Sequence, residues 1–292
     1  YELIKEQLPF ASNNYFAAKA TQTAGKVTAK KSDRGDRVTL TAGEYRAVIS
    51  GGWNAGLDTY AFKGRDVLSG VAKPNFWRAP TDNDFGANLQ RSLNVWRTAD
   101  SRMLKSMNVK ENEGSATVSC VYQLTNINST MNVDYTMNAD GSLHVAVAFN
   151  GENTELPEMP RLGLLFSMPK HYANLNWYGR GPHENYLDRK DASLINTYKS
   201  TVAEQYHPYI RPQETGNKTD VRWLTLTDDQ GYGLKVSGDQ PLGFSALNYL
   251  SEDLDPGFTK KQQHPVDVVQ RGETYLSVNL FQRGVGGLNS WG

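Results

Sequence analysis

At 292 residues the chain can form one large all-β domain or two ordinary ones, with length enough for a sizeable core. Its 31 Lys and Arg balance its 31 Asp and Glu, so it lacks the basic footprint of a nucleic-acid binder and suits a neutral, hydroxyl-rich or apolar ligand. No run of 18 apolar residues and no basic-then-apolar leader occurs, which reads as a soluble chain, with no membrane partner, whose compartment is open between cytoplasm and periplasm.

The chain opens Tyr1-Glu2-Leu3-Ile4 without Met and reads as cut from a longer polypeptide. Residues 11–35 are rich in Ala, Thr, Lys and Asn with little hydrophobic periodicity, as in a linker or a trimmed edge segment. From residue 36 onward short alternating runs are broken by turn residues about every ten positions, the signature of an antiparallel sandwich or barrel. Cys120 alternates within Ala116-Thr117-Val118-Ser119-Cys120-Val121-Tyr122, so a buried thiol is expected there and no internal disulfide is possible. Leu143, Val145, Val147 and Phe149 follow the turn Asn138-Ala139-Asp140-Gly141, and a second hairpin is expected around Asp228-Asp229-Gln230-Gly231. Leu276, Val278 and Leu280 share one face of a late strand. No stretch holds a helical period for three capped turns, so helix is a minor component.

Six tryptophans and fifteen tyrosines are many for this length, and Trp53, Trp77, Trp177 and Trp291 stand beside Gly, Asn, Arg or Ser rather than in apolar runs. An indole offers a flat apolar face and one donor, which suits a sugar ring; the competing role is filling a sheet core.

Three polar segments could carry chemistry. In Trp77-Arg78-Ala79-Pro80-Thr81-Asp82-Asn83-Asp84-Phe85-Gly86, Asp82 and Asp84 resemble the start of a calcium loop, but the downstream acidic ligand is missing. The plainer expectation is an Asx-rich turn whose carboxylates cap N–H groups and pair with Arg78, with Gly86 as a loop hinge. In Tyr178-Gly179-Arg180-Gly181-Pro182-His183-Glu184-Asn185-Tyr186-Leu187-Asp188-Arg189, the two acids and two arginines suit a buried ion network, while His183 and Glu184 could instead act as acid and base. Tyr209-Ile210-Arg211-Pro212-Gln213-Glu214 is held extended by proline and offers Gln213, Glu214 and Asn217 for hydroxyl contacts. A retaining glycosidase needs two carboxyls about 5 Å apart in a pocket. Asp82, Asp84, Glu184, Asp188 and Glu214 qualify by type only, and the sequence nominates no pair.

These three segments, together with Gly284-Val285-Gly286-Gly287-Leu288-Asn289-Ser290-Trp291, resemble in order the C-terminal, fifth, small-chain domain of the β-galactosidases of glycoside hydrolase family 2. The resemblance covers residues 36–292, and residues 1–35 resemble the tail of a preceding immunoglobulin-like domain and its linker. It implies a large antiparallel β-supersandwich of the galactose-mutarotase-like kind. It implies further that the catalytic glutamates of β-galactoside and lactose hydrolysis lie on a TIM-barrel domain of a parent chain, with which the galactoside substrate is shared. No catalytic residue is then expected here. Asn289 and Trp291 match the family's substrate-binding motif, and residues 86–95, from Gly86, match a mobile loop. The Mg and Na ions of parent enzymes would be bound elsewhere, leaving no cofactor in this chain, and any oligomer would be one of the parent enzyme. His183 stands where the best-known relatives have Gln. Rival readings are an autonomous aldose-1-epimerase-like enzyme and a stand-alone carbohydrate-binding module.

Overall fold

The structure is a computed structural model and describes residues 6–8, 15–17, 25–151, 153–260 and 263–286. Asn289 and Trp291 lie outside the described residues. The expected all-β antiparallel class is what is observed: sixteen strands among the described residues, with only short helical turns between them. In chain order they are β1 (Val27–Lys31), β2 (Arg37–Ala42), β3 (Tyr45–Ser50), β4 (Leu57–Phe62), β5 (Arg65–Asp66), β6 (Lys73–Asn75), β7 (Arg102–Asn112) and β8 (Ser115–Leu124). Then follow β9 (Ser129–Asn138), β10 (Leu143–Asn150), β11 (Arg161–Pro169), β12 (Asn174–Gly181), β13 (Leu194–Thr201), β14 (Lys218–Thr227), β15 (Gly233–Leu247) and β16 (Glu273–Gln282).

The chain divides into two compact units, one comprising Ala20–Pro74 and Val95–Glu158, the other Tyr1–Lys19, Asn75–Asn94 and Met159–Gly292. Alternation along a strand tells which residues face inward, not which sheet the strand joins, so this division is not visible in the sequence.

The first unit holds two antiparallel sheets, β1 to β5 in sequence order and β7 to β10 in sequence order. Residue 35, the expected end of the linker, falls between two paired strands: β1 is an edge strand whose Val27 faces Ala42 of β2. The alternation of β8 buries Val118, Cys120 and Tyr122, and the hairpin of β9 and β10 turns at residues 138–142 as its sequence predicts. Burial pushes the Cys120 thiol up to about 11, so it is an inert core residue. Arg102 is also buried, donating to the carbonyls of Ala55 at 2.6 Å, Asn54 at 2.9 Å, Ala72 at 3.1 Å and Asp100 at 3.2 Å. A guanidinium has five donors in a fixed fork, which lets one side chain hold three loops by their backbone.

The second unit is built on one antiparallel sheet in the order β13-β12-β14-β15-β16-β11, continued by the short strand ending at Asn75. The hairpin of β14 and β15 forms at the expected turn. Trp177 is wholly buried in β12, its ring against Phe244 and its indole N–H donating to Arg180 O at 2.9 Å, so this tryptophan fills a core. On β16 the apolar alternation is present, yet both faces are covered over the first half of the strand. Leu276 is buried, Leu280 is exposed, and Tyr275, Ser277 and Asn279 on the opposite face are all buried.

Candidate functional site

The chain's polar segments meet in the second unit. Arg78 and Asp84, both buried, form a bidentate pair at 2.7 and 3.0 Å. Asp84 also closes a capping box with Thr81, taking the Thr81 N–H at 2.8 Å while its own N–H donates to Thr81 Oγ1 at 3.2 Å, and so starts the helical turn α1 (Asp82–Gly86). Asp82 faces outward and accepts from Arg211 Nε and pairs with Lys260 Nζ, each at 2.9 Å. Partial burial would raise its pKa, but the bonds from Lys260 and Arg211 outweigh it and hold the carboxyl below the usual range. Gly86 has an ordinary right-handed backbone with open space around it; the left-handed residue is Asn88, at φ 58°. The conformational argument for Gly86 as a hinge therefore does not apply, and residues 86–95 carry the short helix α2 (Leu89–Ser92).

Glu184 is half-buried in a claw of donors. Tyr209 Oη and Arg189 Nη2 bond Oε1, the latter at 2.8 Å, while Thr215 Oγ1 and the Gly216 N–H bond Oε2 at 3.0 and 2.8 Å. Burial alone would raise its pKa; these bonds and the Arg189 charge prevail and lower it. A carboxylate so engaged is a structural anchor rather than a proton donor. His183 beside it is exposed, and its backbone carbonyl accepts from Asn185 Nδ2 at 3.0 Å. Of the expected ion network, Glu184 pairs with Arg189, whereas Arg180 turns instead to Asp220 at 2.5 Å.

Asp188 does something the sequence did not suggest. Its two oxygens receive the N–H groups of Val285 and Gly286, at 3.1 and 2.6 Å. Arg78 Nη2 donates to Gly284 O at 2.9 Å and Asn83 Nδ2 to Val285 O at 2.9 Å. Three side chains from two distant segments thus hold three consecutive residues by their backbone, and the next residues in the chain run to Asn289 and Trp291.

Glu214 is buried in a different setting. Its Oε1 accepts from Arg161 Nη2 and from Gln282 Nε2, both at 2.9 Å. Arg161 Nε donates to Gln282 Oε1 at 3.2 Å, and its Nη1 to Trp77 O at 3.0 Å. Gln282 continues to Asn279 at 3.2 Å, which accepts from Ser277 Oγ at 2.8 Å. Ser277 and Asn279 were missed because polar residues alternating with Leu276 and Val278 read as an ordinary solvent face, and Arg161 and Gln282, at strand ends, carry no local signal.

Among the described residues no three His, Cys, Asp or Glu side chains converge to hold a metal ion, and no helix is long and apolar enough to cross a membrane. The expected sites therefore separate into two groups. Asp82, Asp84 and Glu184 serve cations, caps and loops, while Glu214 lies in a buried polar row on the sheet.

Comparison with known proteins places this architecture. The family model described as "Beta galactosidase small chain" matches residues 47–292. The chain belongs to that family. It is 38% identical over 234 residues to a β-galactosidase of Priestia megaterium, covering 80% of this chain and 22% of that protein. With a β-galactosidase of Lactobacillus delbrueckii subsp. bulgaricus it shares 31% identity over 303 residues, covering 99% of this chain and 29% of the relative. A β-galactosidase small subunit of Latilactobacillus sakei is 30% identical over 270 residues, with 81% of this chain and 82% of the subunit covered. The chain thus spans about a quarter of the long β-galactosidases that it matches and most of a relative named as a separate subunit.

Proposed function

We propose that this chain is the non-catalytic small-chain module of a β-galactosidase, furnishing one wall of the galactoside pocket while a barrel on other polypeptide carries the catalytic glutamates. The supporting observation is the hold on Gly284, Val285 and Gly286 by Arg78, Asn83 and Asp188, which fixes where the chain enters the segment containing Asn289 and Trp291. In this reading Trp291 offers its indole face to the sugar, and residues 86–95 close over it. Asp82, Asp84 and Glu184 hold the rim and do no chemistry, since each is committed to arginine, lysine or backbone donors. Ile210, Val266 and Val269, exposed by 91%, 88% and 81%, are among the apolar side chains available for docking onto the barrel.

Two assays test this. The purified 292-residue chain should not cleave a chromogenic β-galactoside, and mixing it with a barrel-bearing large subunit of a related enzyme should restore turnover. Trp291→Ala should weaken galactoside affinity of the assembled enzyme while leaving assembly intact. Robust cleavage by the chain alone, free of contaminating enzyme, would falsify the reading.

A further inference from the structure

Among the described residues β13 is an edge of the second unit's sheet, paired on one side only, with β12. The ladder runs for eight pairs, from Gly181 and Leu194 to Asn174 and Thr201, without a bulge. Its sequence, Leu194-Ile195-Asn196-Thr197-Tyr198-Lys199-Ser200-Thr201, is rich in strand formers and holds no proline. A regular edge of this kind offers outward N–H and C=O groups to any passing strand, so it needs blunting.

Here side chains take those backbone groups one by one. The Ile195 N–H donates to Gln7 Oε1 at 2.5 Å, and the Ile195 carbonyl accepts from Gln7 Nε2 at 2.7 Å. A carboxamide carries one acceptor and a donor on adjacent atoms, as a peptide unit does, so Gln7 gives Ile195 the two bonds that a neighbouring strand would give it. Outward-pointing residues alternate along an antiparallel strand, which puts Thr197, Lys199 and Thr201 in the same row as Ile195. The Thr197 N–H donates to Asn196 Oδ1 at 2.8 Å and the Thr201 N–H to Glu204 Oε2 at 2.8 Å. The Thr201 carbonyl accepts from Gln205 Nε2 at 3.2 Å. What remains of the row is the Thr197 carbonyl and the backbone of Lys199, whose side chain is exposed and charged. Lysine is the residue that discourages pairing at an edge.

We infer that these side chains close the β13 edge to strand addition, with Gln7, exposed and 188 positions away from Ile195, as the plug that can be withdrawn. The occupant of the opened edge is β13 of a second copy of this chain. Antiparallel pairing about a two-fold axis at Thr197 keeps like faces together and sets Ile195 of each copy opposite Lys199 of the other, so no two lysines meet. None of these residues belongs to the Asn289 and Trp291 motif, and the inference does not rest on the galactoside-wall reading.

The test combines amide hydrogen exchange with sedimentation of the 292-residue chain. Gln7→Ala should speed exchange at Ile195 about tenfold or more while leaving Thr201, held by Glu204, within about twofold of wild type. The double variant Gln7→Ala and Lys199→Thr, which opens the row and removes its charge, should dimerise at concentrations about tenfold or more below those the wild type needs. As the dimer forms, the amides of Thr197 and Lys199 should gain protection. Both altered side chains are exposed, and unchanged exchange at Leu175 and Trp177 of β12 reports that the sheet is kept. Unchanged exchange at Ile195 in Gln7→Ala overturns the plug. A double variant that associates no more readily than wild type, or associates without protection at Thr197 and Lys199, overturns the closure. Either failure leaves the galactoside-wall reading as it stood.

Discussion

At Glu184 burial and hydrogen bonding oppose one another, and hydrogen bonding prevails, so the carboxylate is worth more to the folded state than its protonated form. Its folded pKa lies below the ordinary 4.5, so its stabilisation is complete above that value and fades as pH falls through the folded value. Urea titrations of wild type and Glu184→Gln should therefore differ at neutral pH and converge on acidification below pH 4.5. Lys218 presents the opposite sign. It is buried, bonded to Gln205 Oε1 at 2.8 Å and Gly216 O at 3.1 Å, and lies 5.4 Å from the Trp177 ring. Burial brings its pKa down from 10.5 to about 8, with Glu184 opposing. The unfolded chain then binds more protons between those values, so stability should rise with pH across that window, by roughly 3 kcal/mol in all. Lys218→Met should abolish that rise in denaturation measured at pH 7.5, 9 and 10.5, and an unchanged slope would show that another group is responsible.

At the scale of strands and loops, Arg102 is the side chain on which the most backbone depends. Replacing it by Met leaves buried carbonyls at Ala55, Asn54 and Ala72 without their donor, which should cost about 3 kcal/mol in urea unfolding. Gly56 beside it has no room for a side chain, since a Cβ would come within 2.7 Å of Ala72 O. The hairpins at residues 138–142 and 228–232 were legible because turn residues and alternation are local signals. So was the pairing of Asp84 with Arg78, six positions apart. What stayed hidden was non-local. Asp188 reads as a generic loop acid until the fold sets it against Val285, and Ser277 and Asn279 read as a wet face until β11 and β15 flank them. Trp177 looked like a candidate sugar wall because its neighbours are polar, but the covering ring of Phe244 comes from 67 residues away and local composition does not report it.

For the molecule as a whole, what matters is the link between the rim and residues 284–286. Asp188→Ala should leave the melting temperature nearly unchanged, because the side chain is exposed, yet accelerate amide hydrogen exchange at Val285 and Gly286 by at least tenfold. Equal exchange in both proteins would mean that Arg78 and Asn83 suffice. The same link orders events during synthesis. Arg78 and Asp84 can find each other as soon as they are made, but Gly284 lies 206 residues from Arg78. At ribosomal speeds of about 5–20 residues per second, that interval is roughly 10–40 s. Through it the nascent rim waits open to water, and the arrival of Gly284 to Gly286 completes it.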